Sequence, residues 1–170
     1  MSDDVGFHVV CASEDDTDRL GQDLARVLRP GLTIGLNGDL GAGKTRFVRA
    51  LCMGLGIRSD AVTSPTFVLM QLYTGGRLPV AHFDTYRLGD VDEFVAIGAE
   101  EYLHSDEWLC VVEWADRVAE VLPRDRLTII ASHVSEHSRR FEFFASGAKS
   151  LAVMDSLVLL RRMDQMSSSS

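Results

Sequence analysis

The sequence predicts an α/β fold: a single domain on one mixed parallel/antiparallel sheet with helices on both faces. Three observations predict it. Leu32-Thr33-Ile34-Gly35-Leu36 is a short buried strand that runs into a glycine-rich loop, and the loop opens a helix over residues 45–51. Leu109-Cys110-Val111-Val112-Glu113 is a continuous apolar run ending in an acid, as in a parallel strand covered on both sides. Two pairs of strand-like segments, 67–73 with 79–84 and 127–131 with 141–145, read as antiparallel hairpins. Strands that pair locally and also cross over helices need one mixed sheet with helices on its faces.

In chain order, a first strand covers residues 5–11. Ser13 then offers an N-cap hydroxyl, with Glu14, Asp15 and Asp16 in the first turn, where the helix dipole favours acids. Leu20, Leu24, Val27 and Leu28 follow at helical spacing until Pro30-Gly31 stops the helix. Gly54 and Gly56 end the second helix. Residues 60–66 are a polar connection, and Gly75-Gly76 turns the first hairpin. Residues 90–103 are mostly helical, with Val91, Phe94, Val95 and Leu103 apolar. Residues 114–122 form a short helix closed by Pro123, and the polar stretch 132–140 turns the last hairpin. Leu151, Met154, Val158 and Arg161 give a terminal helix over 151–163, followed by a serine tail over 167–170 that is expected to be disordered. The chain thus divides into a domain over 1–147 and a C-terminal extension over 148–170.

The length, 170 residues, suits one domain with a substantial core. A net charge of -8 and a pI near 5.0 argue against a broad nucleic-acid or acidic-membrane surface. Any nucleic acid is expected to be held by a partner. Cys11, Cys52 and Cys110 are scattered without metal-ligand spacing and read as buried thiols in a reducing compartment. Met1-Ser2-Asp3-Asp4 is acidic where a signal peptide needs basic residues, and no apolar stretch is long enough to span a bilayer. A cytoplasmic protein with no membrane partner is expected.

The loop itself, Gly38-Asp39-Leu40-Gly41-Ala42-Gly43-Lys44-Thr45, follows the P-loop pattern G-x-x-x-x-G-K-[ST]. Its glycines let successive backbone N–H groups form a concave anion nest. Lys44 is expected to reach the β- and γ-phosphates of ATP. The Thr45 hydroxyl is expected to take one position on Mg²⁺, a hard ion that prefers oxygen. The phosphates then sit at a helix N-terminus, where free N–H groups and the dipole favour negative charge. The expected fold is P-loop NTPase-like.

Glu113 supplies a Walker B carboxylate, delivered by a buried strand beside the phosphate loop to hold Mg²⁺ directly or through water. Alone, such a residue is also a strand-end acid facing solvent. Asp84 ends Val80-Ala81-His82-Phe83 and either positions the attacking water or caps a turn. Ser64-Pro65-Thr66 is like the switch segments of nucleotide hydrolases, or simply a polar loop. Trp114 fits a core or an interface, and Arg87 fits a phosphate or a carboxylate. His133 and His137 fall in a strand and a turn, which disfavours a metal site.

Together the P-loop, Ser64-Pro65-Thr66-Phe67, His82-Phe83-Asp84-Thr85-Tyr86-Arg87-Leu88 and Val112-Glu113-Trp114 resemble the TsaE (YjeE) family over residues 5–147. That family is the P-loop ATPase of bacterial tRNA threonylcarbamoyladenosine (t(6)A) modification. The resemblance implies Thr45 and Glu113 as Mg²⁺ ligands and sets Thr66 and Asp84 beside the γ-phosphate. It loosely assigns adenine contacts to 11–14 and 139–140. It also implies a TsaB–TsaD-like protein complex as partner, with tRNA met only indirectly. It assigns nothing to residues 148–170.

Two rivals remain at this level. A small-molecule P-loop kinase needs an arginine-rich lid, and only Arg117, Arg124 and Arg126 follow Glu113 without forming a compact one. A nucleotide-gated binding switch would use ATP occupancy more than turnover.

Overall fold

The computed structural model describes residues 5–63 and 67–169. Seven strands form one sheet: β1 (Val5–Cys11), β2 (Thr33–Asn37), β3 (Met70–Tyr73), β4 (Val80–Asp84), β5 (Leu109–Glu113), β6 (Arg126–His133) and β7 (Arg139–Ala145). Their spatial order is β1-β7-β6-β2-β5-β4-β3. β2 lies at the centre, parallel to β5 on one side and to β6 on the other, and β4 is parallel to β5. The expected hairpins are present: β3 pairs antiparallel with β4, and β6 with β7. β1 closes the far edge, antiparallel to β7.

The pleat sorts the strands between two cores. Leu109 and Val111 of β5 and Val80 of β4 face one cluster, together with residues of α1 (Glu14–Val27), α2 (Lys44–Gly54) and α5 (Ala148–Ser167). Cys110 and Val112, with Ala81 and Phe83, face a second cluster containing residues of α3 (Val91–Ala96), α4 (Ala99–Leu103) and the 3-10 helix Ala115–Val121. The alternation also decides where chemistry goes. His82 and Asp84 alternate in phase with Val80 along β4, and Glu113 with Val111 along β5, so all three lie on the face that α2 covers.

Several expected elements are shorter or broken. Phe67 and Val68 are in a turn, and Leu69 has φ 65°, so β3 begins only at Met70. Residues 90–103 form two helices because Gly98 adopts φ 85° between them. The segment after Trp114 is a 3-10 helix kinked at Val118 rather than a regular α-helix. Helix α5 starts earlier and runs further than the expected 151–163, taking Ser167 into its last turn. Its Val153, Met154 and Leu157 are buried in the first cluster, so the extension is built into the main core. Cys11, Cys52 and Cys110 are buried and free, and burial pushes Cys52 and Cys110 up to about 12.

Helix α5 is capped from a distance. Its N-cap, Gly147, has no side chain to offer, and the Asp125 carboxylate accepts from Lys149 N at 2.7 Å and Ser150 N at 3.0 Å instead. A Cβ on Gly147 would lie 2.3 Å from Asp125 Cγ, so only glycine leaves room for this cap. Burial opposes ionisation of Asp125, but the N–H groups of Ser150 and Lys149 outweigh it and hold its carboxyl below the usual range. Asp125→Ala should cost about 1 kcal/mol at neutral pH, read as a lower denaturation midpoint. A depressed folded value means this stabilisation is present above the usual aspartate range and is lost as pH falls through the folded value. The midpoints of wild type and variant should therefore converge in acid.

Candidate functional site

The site is built where β2, β4 and β5 end. In parallel sheets the crevice beyond the carboxyl ends is where ligands bind, and β2 sits where connections diverge to both sides. Residues 38–43 turn the chain from β2 into α2. Gly38 has φ 140°, and a Cβ there would lie 2.3 Å from Ala131 O of β6, so the loop can press against its neighbour only as glycine. Ala42 N donates to Asp39 O at 3.1 Å and closes the loop, while Ala42 itself is buried and Leu40 is exposed. Gly41 lines the cleft that follows, and Gly43 is the N-cap of α2.

Lys44 lies inside this loop. Its Nζ donates to Asp39 O at 2.8 Å and to Gly38 O, and stands 4.2 Å from the centre of the Trp114 ring. Burial lowers its pKa, and the carboxylates of Glu113, Asp39, Asp84 and Asp116 pull it back up. Trp114 reaches that position through a left-handed backbone, φ 58°, with its N–H on Leu36 O at 2.9 Å. Its ring packs against Tyr86, centroids 4.9 Å apart.

Thr45 and Glu113 meet as expected. Thr45 Oγ1 is 3.3 Å from Glu113 Oε1, and Glu113 is only 2% exposed, so it is not a solvent-facing strand end. Asp84 is the register partner of Glu113 across β4 and β5, which places two carboxylates side by side. The turn-capping reading of Asp84 also holds, because its Oδ1 accepts from Tyr86 N at 2.9 Å. Thr85 stitches the two strand ends together: its N–H donates to Glu113 O at 3.2 Å and its hydroxyl lies 2.7 Å from Trp114 O. Arg117 props the same segment, donating to Tyr86 O at 2.6 Å and Leu88 O at 3.1 Å. Arg87 stacks over Phe67 at 4.5 Å and joins Lys44, Thr45, Asp84 and Glu113 around a cleft of about 420 Å³. Ser64, Pro65 and Thr66 lie outside the described residues.

The pairing of β1 with β7 brings Cys11 opposite Arg139. Beside the loop, Glu14, Thr17, His137 and Arg139 line a small cavity of about 130 Å³ that also touches Gly41 and Gly43. Arg46 ties this side together, with a two-pronged bond to Asp18 at 2.9 and 2.7 Å and a third to Glu14 at 2.8 Å. No group of three or more His, Cys, Asp and Glu residues is gathered for a metal among the described residues. The residue that sequence reasoning left without a role is His82, fully buried with Nε2 2.8 Å from Glu113 Oε2. Its signal was present: a lone polar residue inside an apolar strand, two before Asp84 and so on the same face.

With the glycine loop leaving the central parallel strand and the acid on the strand beside it, the protein falls in the P-loop NTPase-like class of nucleotide-binding proteins. The comparisons narrow this. A family model described as "Threonylcarbamoyl adenosine biosynthesis protein TsaE" matches residues 11–141, and the chain belongs to that family. The tRNA threonylcarbamoyladenosine biosynthesis protein TsaE of Treponema pallidum is 42% identical over 130 residues, 76% of this chain and 94% of that one. The Streptomyces coelicolor protein of the same name is 45% identical over 113 residues, 65% of this chain and 74% of its own. The crystal structure of Bacillus subtilis YdiB matches with a TM-score of 0.75 at 30% identity, covering 95% of this chain and 97% of that one. The chain is thus a TsaE-family protein of tRNA threonylcarbamoyladenosine biosynthesis. Among the described residues no helix is long and apolar enough to cross a membrane.

Lys44→Ala should weaken nucleotide binding by ~10–100-fold, the loss of one hydrogen bond to a charged group. Titration of labelled ATP into both proteins measures this, and equal affinities would remove Lys44 from the phosphate site.

Proposed function

We propose that the chain is the Mg²⁺-dependent ATP-hydrolysing subunit of the t(6)A machinery, acting in the cytoplasm with a TsaB–TsaD-like complex. The observation that carries this reading is the meeting of Thr45 Oγ1 and Glu113 Oε1, 3.3 Å apart at the mouth of the loop, with Asp84 alongside. Residues 38–45 bind the phosphates through backbone N–H groups, and Lys44 exchanges its carbonyl acceptors for phosphate oxygens. Hydroxyl and carboxylate oxygens are the donor set that Mg²⁺ prefers, and a P-loop site needs only a few of them because phosphates and waters complete the shell. Bound there, Mg²⁺ would neutralise charge developing on the phosphate oxygens. Asp84 orients the attacking water. The switch role beside the γ-phosphate that the family resemblance implies for Thr66 is kept in this reading, and Glu113 would serve catalysis by holding the metal together with Thr45. The cavity between Glu14, Thr17 and Arg139 is the side from which the adenine is held.

Two of the three arginines the kinase alternative would need are engaged elsewhere, since Arg117 donates to Tyr86 O and Leu88 O and Arg126 to Pro123 O. The net charge of -8 favours contact with proteins over direct contact with tRNA. In this reading residues 1–147 carry the ATPase and 148–170 brace it.

Of the described arginines beside the loop, Arg46 is bonded to Asp18, Arg139 donates to the carbonyls of Ser135, Glu136 and Ser138, and Arg87 is stacked on Phe67. An arginine supplied in trans raises such rates by ~10³–10⁵-fold. Single-turnover ATP cleavage should therefore be slow alone and faster with the partner complex. Asp84→Ala should retain ATP binding and lose cleavage in both settings, and Glu113→Gln should lose Mg²⁺-dependent cleavage while remaining folded, as thermal melting checks. Fast cleavage by the isolated wild type, unaffected by the partner, would sink the partner-dependent reading.

A further inference from the structure

His82 lies in the middle of β4 with no exposed surface. An imidazole carries two polar nitrogens, and burying them without partners is costly. Nε2 is 2.8 Å from Glu113 Oε2. A carboxylate oxygen accepts, so Nε2 is the nitrogen that bears hydrogen and donates. On the opposite side Nδ1 faces the Tyr73 hydroxyl at 3.4 Å, and the two rings lie 6.1 Å apart at a tilt. Burial pushes the Tyr73 hydroxyl up to about 12, so it keeps its proton, and it is itself held 2.7 Å from Gln71 Oε1. The ring is thus packed from behind and fixed in front.

We propose that His82 is a positioning residue that pins one oxygen of Glu113 so that the other faces Thr45. A glutamate side chain has three rotatable bonds, and its two oxygens are otherwise interchangeable. With Oε2 bonded to His82, Oε1 is the atom left at 3.3 Å from Thr45 Oγ1. His82 touches neither nucleotide nor metal and acts only through Glu113. It can do so because β4 and β5 are parallel neighbours: Asp84 is in register with Glu113, and His82, two residues back on the same face, reaches across diagonally. This inference rests on the reading of Thr45 and Glu113 as the pair that holds the metal.

The test uses Mn²⁺ as the probe, detected by electron paramagnetic resonance, with the full chain and a non-hydrolysable ATP analogue. The amide of His82→Gln can reach the place of Nε2, whereas that of His82→Asn falls at Nδ1, and His82→Leu fills the space without a donor. Asn and Leu should weaken Mn²⁺ binding by ~10–100-fold, the usual effect of removing a group that orients a ligand. Gln should stay close to wild type, and affinity for the analogue in chelator should be the same in all four proteins. Wild-type Mn²⁺ affinity in a folded Asn or Leu variant overturns the proposal. So does an equal loss in Gln and Asn, which would mean that the ring is needed for its shape. A wild type that binds the analogue but no Mn²⁺ would overturn the metal reading of Thr45 and Glu113 and this inference with it.

Discussion

A carboxylate that is 2% exposed must be surrounded by donors or it will not be buried. Glu113 meets that condition from two directions, His82 Nε2 on one oxygen and Thr45 Oγ1 on the other. Much of the local structure follows from satisfying it. β4 has to run parallel to β5 in the observed register for His82 to reach, and α2 has to start beside β5 for Thr45 to reach. Thr85 then locks the two strand ends by bonding Glu113 O and Trp114 O. Replacing one of these donors would leave a buried acid short of partners, which costs more than the net value of the bond itself.

Lys44 presents the same condition with the opposite sign. An ammonium group folded back into the loop and largely buried needs acceptors, and Gly38 O and Asp39 O supply them. The Trp114 face adds a further weak attraction. The lysine is therefore stored near its place of use, on carbonyls that bind it less strongly than phosphate oxygens would. The left-handed backbone of Trp114 belongs to this arrangement, since it turns the ring from the end of β5 to lie beside the loop.

Much of this was legible in the residues. The P-loop, the apolar strand ending on Glu113 and both hairpins appear in the sequence because each is a local pattern of period or spacing. Thr45 and Glu113 could be paired on paper because both motifs place them at the same end of parallel strands. What was not legible depends on distant partners. Nothing around Gly147 announces that Asp125 caps α5, and nothing near Arg46 points to Asp18. The break at Gly98 and the late start of β3 come from single left-handed residues inside stretches whose composition favours continuation. His82 lies between these cases: its alternation was readable, but its partner was not.

The order of the sheet has a consequence for synthesis. β1 precedes the other six strands in the chain, yet among the described residues it pairs only with β7, so Cys11 waits for Arg139, more than a hundred residues later. A chain emerging from the ribosome can assemble the central parallel strands and the phosphate loop while β1 still lacks its neighbour and α1 has not yet received α5. An unpaired strand edge at that stage invites association with other chains. The wall formed by β1 and β7 thus closes late, with only α5 still to follow, and premature termination before residue 139 would leave a phosphate loop without the side that flanks it.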